Sequence, residues 1–340
     1  MPSPAPNVGS ALLLLGSIAR TDIAPWLALL LLALGGTSRA DCLPSLPLGF
    51  PEVDQAYQSG LAKADVDVNR HRHRLGERLF HDTRLSVTGR HSCASCHGPS
   101  QAFTDHLPRS IGALGDTLPH NAPTLLNAAL KFQFNWRSNG PLRLIDHHIG
   151  PLTNRSPVEM GFAPALLAPL NQDAPLREML KQAKLSTTSA ANEQFTVASV
   201  TALLAVYVSS LSCATAFDQY LLEGQNSISS QAREGMALFT STELGCSSCH
   251  RGPLLGGGLR TPEQAFAAVN VFRPRGAHNV ELVTPSLRQV SHSAPYLFDG
   301  SVPTLDGVLD QYQVGTAVNL PGFSLTANER AALLAFLKTL

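Results

Sequence analysis

A mainly α fold made of two tandem units with long irregular loops is predicted by three features of the chain. The pentapeptide Cys-x-x-Cys-His occurs twice, as Cys93, Cys96, His97 and as Cys246, Cys249, His250, about 150 residues apart. An apolar helical turn ending in Leu-Phe precedes each one, with Phe80 lying 13 residues before Cys93 and Phe239 lying 7 residues before Cys246. Between them runs a helical stretch, Val197 to Leu211, in which Val200, Leu203, Leu204, Tyr207, Val208 and Leu211 recur at helical spacing.

The pentapeptides carry chemistry as well as spacing. Two thiols about one helical turn apart can add across the two vinyl groups of a haem, and the histidine that follows is placed to ligate the iron. A zinc ribbon brings its Cys-x-x-Cys knuckles within roughly 15 to 20 residues of each other, far closer than these. A thioredoxin-like pair needs a preceding strand and a βαβ context, whereas each pair here follows a Gly-containing helical stretch. Two covalent haem c groups are therefore expected. The units become tandem cytochrome-c-like haem domains, one over 41–222 and the other over 223–340.

Each remaining segment has its own reading. Arg20, the apolar run Trp26 to Leu34 and the small-residue site Ser38, Arg39, Ala40 read as a secretory signal over 1–40, cleaved after Ala40. Its apolar core of about 10 residues is too short to cross a bilayer roughly 30 Å thick. No membrane span is expected after cleavage, and the mature chain is expected in the periplasm. Four of the six cysteines serve the haems, leaving Cys42 and Cys213. In an oxidising compartment they suggest a disulfide, with a free, buried Cys213 the open alternative. The stretches 98–127 and 251–303, rich in Pro, Gly and Asn, are expected to be loops that wrap the haems. The last segment has Thr326 and Glu329 in capping-box spacing and continues through Leu333, Leu334, Phe336 and Leu337 as a closing amphipathic helix. With 25 basic and 25 acidic residues, bulk charge selects neither nucleic acid nor an anionic membrane surface.

Longer stretches of the chain resemble a known family. Leu75 to Ser86 running into the first pentapeptide, Phe103-Thr104-Asp105, Asn121 to Asn127, and Gly150 to Asn154 with Glu159-Met160-Gly161 look like the bacterial dihaem cytochrome c peroxidase and MauG superfamily. So do Pro285 to Arg288, Ala294-Pro295-Tyr296 and Asp299-Gly300-Ser301. The resemblance covers nearly the whole mature chain in the right order.

The resemblance implies that the N-terminal haem, with His97 as proximal ligand, is the peroxide-reactive one. Glu159 would sit over its open face, where a carboxylate can move protons on bound peroxide, and His147 would join it, His147 and His148 as solvated residues being the open alternative. Typical dihaem peroxidases carry a blocking histidine after Ser-Ile-Gly; here Ser110-Ile111-Gly112 is followed by Ala113, so this iron is expected open at rest. His106 and His120 are the possible substitutes. The second haem would have His250 as proximal ligand. Its other ligand would be Tyr312 in place of the usual methionine, because the last methionine is Met236, before the motif. A hard phenolate donor lowers the potential of that iron; a packed aromatic is the alternative reading of Tyr312. Trp136, 15 residues after Asn121, matches the tryptophan that relays electrons between the haems. A calcium ion would take Asn121 and the backbone carbonyls of Ser293 and Pro295, all hard oxygen donors.

Some positions depart from the family pattern. Arg137, Ser138, Asn139, Gly140 replace the usual Asp-Gly-Arg, Phe298 replaces a histidine, and Leu244 stands where MauG presents a surface tryptophan to its protein substrate. Two functions follow from the resemblance. The first is a MauG-like enzyme that uses hydrogen peroxide to form a high-valent bis-haem state and oxidise a Trp or Tyr on a periplasmic partner protein. Members paired with a small copper-binding partner fit the missing surface tryptophan equally well. The alternative is a peroxidase that reduces hydrogen peroxide with electrons from a small cytochrome or cupredoxin.

Overall fold

The structure, a computed structural model, describes residues 55–131, 133–136, 143–186, 193–224, 227–256, 271–272, 282–315 and 322–340. The segment 1–40 expected to be a signal, Cys42 and the stretch Arg137 to Gly140 lie outside these residues. The helices are α1 (Gln55–Ser59), α2 (Val66–Phe80), α3 (Cys93–Cys96), α4 (Leu144–His147), α5 (Ile149–Thr153), α6 (Leu167–Gln172), α7 (Ala174–Ala183), α8 (Val197–Ser209), α9 (Ala216–Glu223), α10 (Ser230–Thr240), α11 (Cys246–Cys249), α12 (Leu305–Gln313) and α13 (Ala327–Leu337). The fold is mainly α, as expected.

Local chemistry sets the helix ends. Asp65 caps α2 by accepting from Val68 N at 2.8 Å. Thr196 and Ser199 form a capping box on α8, and Thr326 and Glu329 form the expected one on α13. Helix α8 stops at Ser209, two residues short of the periodic run, where the Ser210 hydroxyl turns back onto Tyr207 O at 2.6 Å.

Two apolar cores organise the described residues. The first gathers Leu75, Leu79 and Phe80 of α2 with Leu170, Leu176, Leu180 and the apolar face of α8. Because α8 is buried from Ser199 to Ser209, it reads as hydrophobic all round, the signature of a central helix. The second gathers Phe239 of α10, Leu305 and Leu309 of α12, and Leu333, Phe336 and Leu337 of α13.

The weak repeat in the sequence has a packing cause. Gly76 of α2 lies so close to α8 that a Cβ there would run into the Leu203 carbonyl; Gly235 of α10 faces the Ala332 carbonyl of α13 in the same way. In each unit the helix before the Cys-x-x-Cys turn crosses a long apolar helix at a glycine. Four residues on, Phe80 or Phe239 enters the core.

The stretch 98–127 is irregular, as expected. Within 251–303 the expectation of a loop is corrected in part: Val271–Phe272 pairs antiparallel with Leu282–Val283, and Val290–His292 forms a 3-10 turn. Two-residue strands with so few side chains leave no alternation to detect. The ribbon matters for placement, since Val283 N donates to Trp136 O at 2.8 Å. None of the helices among the described residues is long and apolar enough to cross a membrane.

Gly76→Ala and Gly235→Ala are each expected to lower the stability of the haem-loaded protein by about 1–3 kcal/mol, the cost of overpacking a close helix crossing. Chemical denaturation measures it.

Candidate haem sites

Each Cys-x-x-Cys segment forms one helical turn, with the histidine amide closing it: His97 N donates to Cys93 O and His250 N to Cys246 O, both at 3.0 Å. Ser95 Oγ accepts from Ser92 N at 3.0 Å to start the first turn. Gly245, at φ 66°, starts the second with a left-handed residue. The four cysteines are half-buried on these turns.

The histidine rings are held from behind. His97 Nδ1 lies 3.0 Å from Phe103 O, and His250 Nδ1 lies 2.9 Å from Leu255 O. A carbonyl oxygen only accepts, so Nδ1 carries the proton in both rings and Nε2 keeps its lone pair for a metal. A second-shell carbonyl of this kind fixes the tautomer and raises ligand basicity. Burial pushes both imidazoles below their ordinary pKa, which favours the neutral, ligating form.

Behind each ring stands the same clamp. Pro123-Thr124-Leu125-Leu126-Asn127 serves the first and Pro285-Ser286-Leu287-Arg288-Gln289 the second. Thr124 Oγ1 donates to Ala102 O at 2.5 Å, one residue before Phe103, and Ser286 Oγ donates to Leu254 O at 2.8 Å, one residue before Leu255. Asn127 and Gln289 both sit at φ 59° and open a 3-10 turn. The clamps meet at the buried Cys213: Asn127 Oδ1 accepts from Cys213 N at 2.9 Å, and Gln289 Nε2 donates to Cys213 Sγ at 2.9 Å. Cys213 is disulfide-bonded, in line with the disulfide reading.

A cavity of about 460 Å³ opens beside the first turn, lined by Cys93, Cys96, His97, Trp136, His147, Glu159 and neighbours. Ligand pockets run from roughly 300 to 1,000 Å³. The cavity, two thiols on one turn and a histidine with its lone pair inward together fit a covalently held haem. The second turn offers the same donor set.

The other expected first-site residues converge on this cavity. Burial raises the carboxyl of Glu159 above the ordinary range, while the Asn154 amide, donating to Oε1 at 2.9 Å, opposes the rise. Burial pushes His147 down to about 3, with His148 and His97 adding to the fall, and its ring lies 5.3 Å from that of Phe134. His147 and His148 are both half-buried and line the cavity, and His148 Nδ1 lies 3.4 Å from Thr201 O. Trp136 Nε1 donates to Asn121 O at 2.9 Å.

The loop around Ala113 fixes Glu159. Ala113 is buried and its N–H donates to Glu159 O at 2.7 Å. Gly112 packs so tightly on Val158 O that a Cβ would clash. Of the two possible substitutes for a blocking histidine, His106 donates from Nε2 to His292 O at 3.0 Å, which occupies that nitrogen. His120 stands in the cavity wall with its ring 5.9 Å from Phe298.

In the second site Tyr312 of α12 comes to the Cys246–Cys249 turn. Burial pushes its hydroxyl up to about 12, with Cys246 and Cys249 adding to the rise. A phenol held there ionises only against a positive charge, such as a ferric iron. Asn121 is buried, donates from Nδ2 to Leu107 O at 2.8 Å, and donates its backbone N–H to Phe298 O at 2.9 Å, which sets it against the segment carrying Ser293 and Pro295.

Lys131 was not foreseen. It lines the cavity, donates from Nζ to Thr124 O at 3.3 Å, and burial pushes it down to about 8. A lone lysine in sequence carries no such signal.

These sites have relatives. Residues 70–227 match the model of the di-haem cytochrome c peroxidase family. The chain is 31% identical to the methylamine utilization protein MauG of Methylorubrum extorquens, over 78% of this chain and 77% of that one. The chain belongs to the dihaem cytochrome c peroxidase and MauG family. Another member of it, the cytochrome c551 peroxidase of Nitrosomonas europaea, is 30% identical, with 78% of each chain covered. Among solved structures, a MauG-like protein associated with microbial copper homeostasis superposes with a TM-score of 0.72 at 26% identity, covering 88% of this chain and 93% of that one. The dihaem peroxidase BthA of Burkholderia thailandensis shares the fold, with a TM-score of 0.62 and 21% identity. As a family member the chain is a dihaem oxidoreductase that handles hydrogen peroxide together with a partner protein.

The site geometry generates one test. Tyr312→Phe is expected to convert the low-spin ferric haem to high-spin by EPR and leave the other haem's signal in place; an unchanged spectrum overturns Tyr312 as an axial donor.

Proposed function

We propose that this enzyme is MauG-like: hydrogen peroxide reacts at the His97 site, and the oxidising equivalents are drawn from a residue, Trp or Tyr, of a periplasmic partner protein. One observation carries the reading. Ala113 is buried at the position of the blocking histidine, and its N–H holds the Glu159 backbone at 2.7 Å beside the cavity.

Cys93, Cys96 and His97 would hold the first haem, and Cys246, Cys249, His250 and Tyr312 the second. Bound there, haem supplies the redox centre that accepts two electrons from the partner in exchange for cleaving peroxide to water. The chain's own residues do the rest. Glu159 takes the proton from the proximal oxygen of the peroxide and returns it to the departing oxygen. Asn154 orients Oε1 of Glu159. His147, held neutral by burial, offers a hydrogen bond to peroxide and no positive charge. Trp136 forms part of the cavity wall, and its carbonyl is bonded to Val283, two residues before Pro285 of the second clamp. That position suits a relay between the sites.

The MauG-like neighbour associated with microbial copper homeostasis supports a copper-linked partner. Leu244, half-buried against the second core, replaces the surface tryptophan, so the partner meets a different contact at that end. The apolar run ahead of Ala40 supports export to the periplasm. Calcium is proposed at Asn121 with the carbonyls of Ser293 and Pro295; the Asn121 amide spends its nitrogen on Leu107 and keeps its oxygen for a cation.

Ferric enzyme given stoichiometric peroxide without reductant is expected to show one high-spin and one low-spin haem by EPR, followed by a persistent optical change. Inertness until pre-reduction would favour the peroxidase that draws electrons from a small cytochrome or cupredoxin. Two low-spin haems that ignore peroxide would remove both readings. Glu159→Gln should slow the optical change by about 10²–10⁴-fold. In wild type the rate should fall as pH drops through the raised Glu159 pKa, since only the ionised carboxylate takes the proton. Chelation with EDTA should lower the melting temperature, and Ca²⁺ but not Mg²⁺ should restore it.

A further inference from the structure

The two clamps share Pro and Leu, exchange Thr for Ser and Asn for Gln, and change chemical character at one position only. Where the first has Leu126, buried against Ala102 and Cys213, the second has Arg288, only 2% exposed. Its guanidinium is held at two nitrogens. Nε donates to Pro253 O at 2.7 Å, and one terminal nitrogen meets Asp218 Oδ1 at 2.7 Å and Thr215 Oγ1 at 3.3 Å. Asp218, on α9 and 1% exposed, is held in turn by Thr215, whose N–H and hydroxyl reach Oδ2 at 2.8 and 3.0 Å. The guanidinium also lies 5.3 Å over the Phe217 ring.

The bond to Pro253 gives this cluster its reach. Pro253, Leu254 and Leu255 form one tight turn after His250, closed by Leu255 N on Gly252 O at 2.9 Å. Arg288 holds the first carbonyl of the turn and Ser286 the second, at 2.8 Å; His250 donates to the third, at 2.9 Å. Leu255 itself sits at φ 46°, a left-handed backbone that the turn must hold in place. At the first site the corresponding turn has no cationic brace from its clamp, since Leu126 offers none.

We propose that Arg288, anchored by Asp218, is a positioning residue that fixes the Leu255 carbonyl against His250 Nδ1 and thereby sets the ligand strength of the second haem independently of the first. The proposal rests on the reading of His250 as an axial ligand. A firm Nδ1–H to carbonyl bond gives the imidazole more anionic character, which favours ferric over ferrous iron. Losing the brace therefore raises the midpoint potential of the second haem.

The test is a redox titration with EPR of the haem-loaded protein carrying Arg288→Lys, Arg288→Met or the double change Arg288→Met with Asp218→Asn. The double variant removes both charges of a buried pair, a change proteins often tolerate in stability, so it keeps the test alive where the single change fails to assemble. The expected result is an upward shift of the second-haem midpoint, smallest for Arg288→Lys, with altered g-values of the low-spin signal and an unmoved first-haem midpoint. A drop in melting temperature with both midpoints unchanged, or equal shifts at both haems, overturns the proposal. His250→Ala separates the two levels: if it leaves the low-spin signal intact, the ligand reading itself fails, whatever Arg288 does.

Discussion

Everything in this molecule depends on a hydrogen bond from a histidine Nδ1 to a backbone carbonyl a few residues downstream. The bond settles which ring nitrogen is left to face a metal, and it exists only because the receiving carbonyl is held still. At His97 the holder is Thr124, bonded to the residue before the receiving carbonyl; at His250 it is Ser286 in the same relation. Each clamp is short and irregular, and it gains rigidity from positions where backbone and side chain leave few alternatives: a proline, a hydroxyl that bonds locally, and a left-handed Asn or Gln. The helices serve this arrangement. Gly76 and Gly235 let α2 and α10 press on α8 and α13, which sets each Cys-x-x-Cys turn against a core that does not yield.

From two equivalent clamps the structure builds two unequal sites. The first gains the cavity, with Glu159 tied in place through Ala113 and a half-buried lysine in the wall. The second gains Tyr312 and the Arg288–Asp218 pair. The contrast is electrostatic as much as steric. One site keeps titratable groups around an open volume where a small oxidant can be protonated. The other sets a tyrosine hydroxyl and a buried Arg–Asp pair around its Cys-x-x-Cys-His turn, which suits the charge-holding role proposed for it.

Much of this was legible in the sequence, and the legible parts share a property. The Cys-x-x-Cys-His turns, the Thr326/Glu329 cap, the α8 run and the Gly-to-Phe repeat are all encoded within a turn or two of helix, so spacing alone reveals them. The equivalence of the two clamps is not legible in the same way. Pro123 follows Cys93 by 30 residues and Pro285 follows Cys246 by 39, so no fixed period links them. Nothing in the neighbours of Lys131 marks it as a cavity residue, and the local sequence of His147 and His148 fits solvent as well as site. The Arg288 partner lies 70 positions away at Asp218, a distance over which charge pairing leaves no local trace.

The chain's own order of residues was enough to establish haem attachment, the helical class and the family, because thiol addition, helix periodicity and end caps act between near neighbours. Which nitrogen of each histidine keeps its lone pair for a metal, and which of two similar turns is braced by the Arg288 guanidinium, came from folding. Those properties depend on carbonyls and charges brought together from far along the chain, in surroundings dry enough for their positions to carry energy.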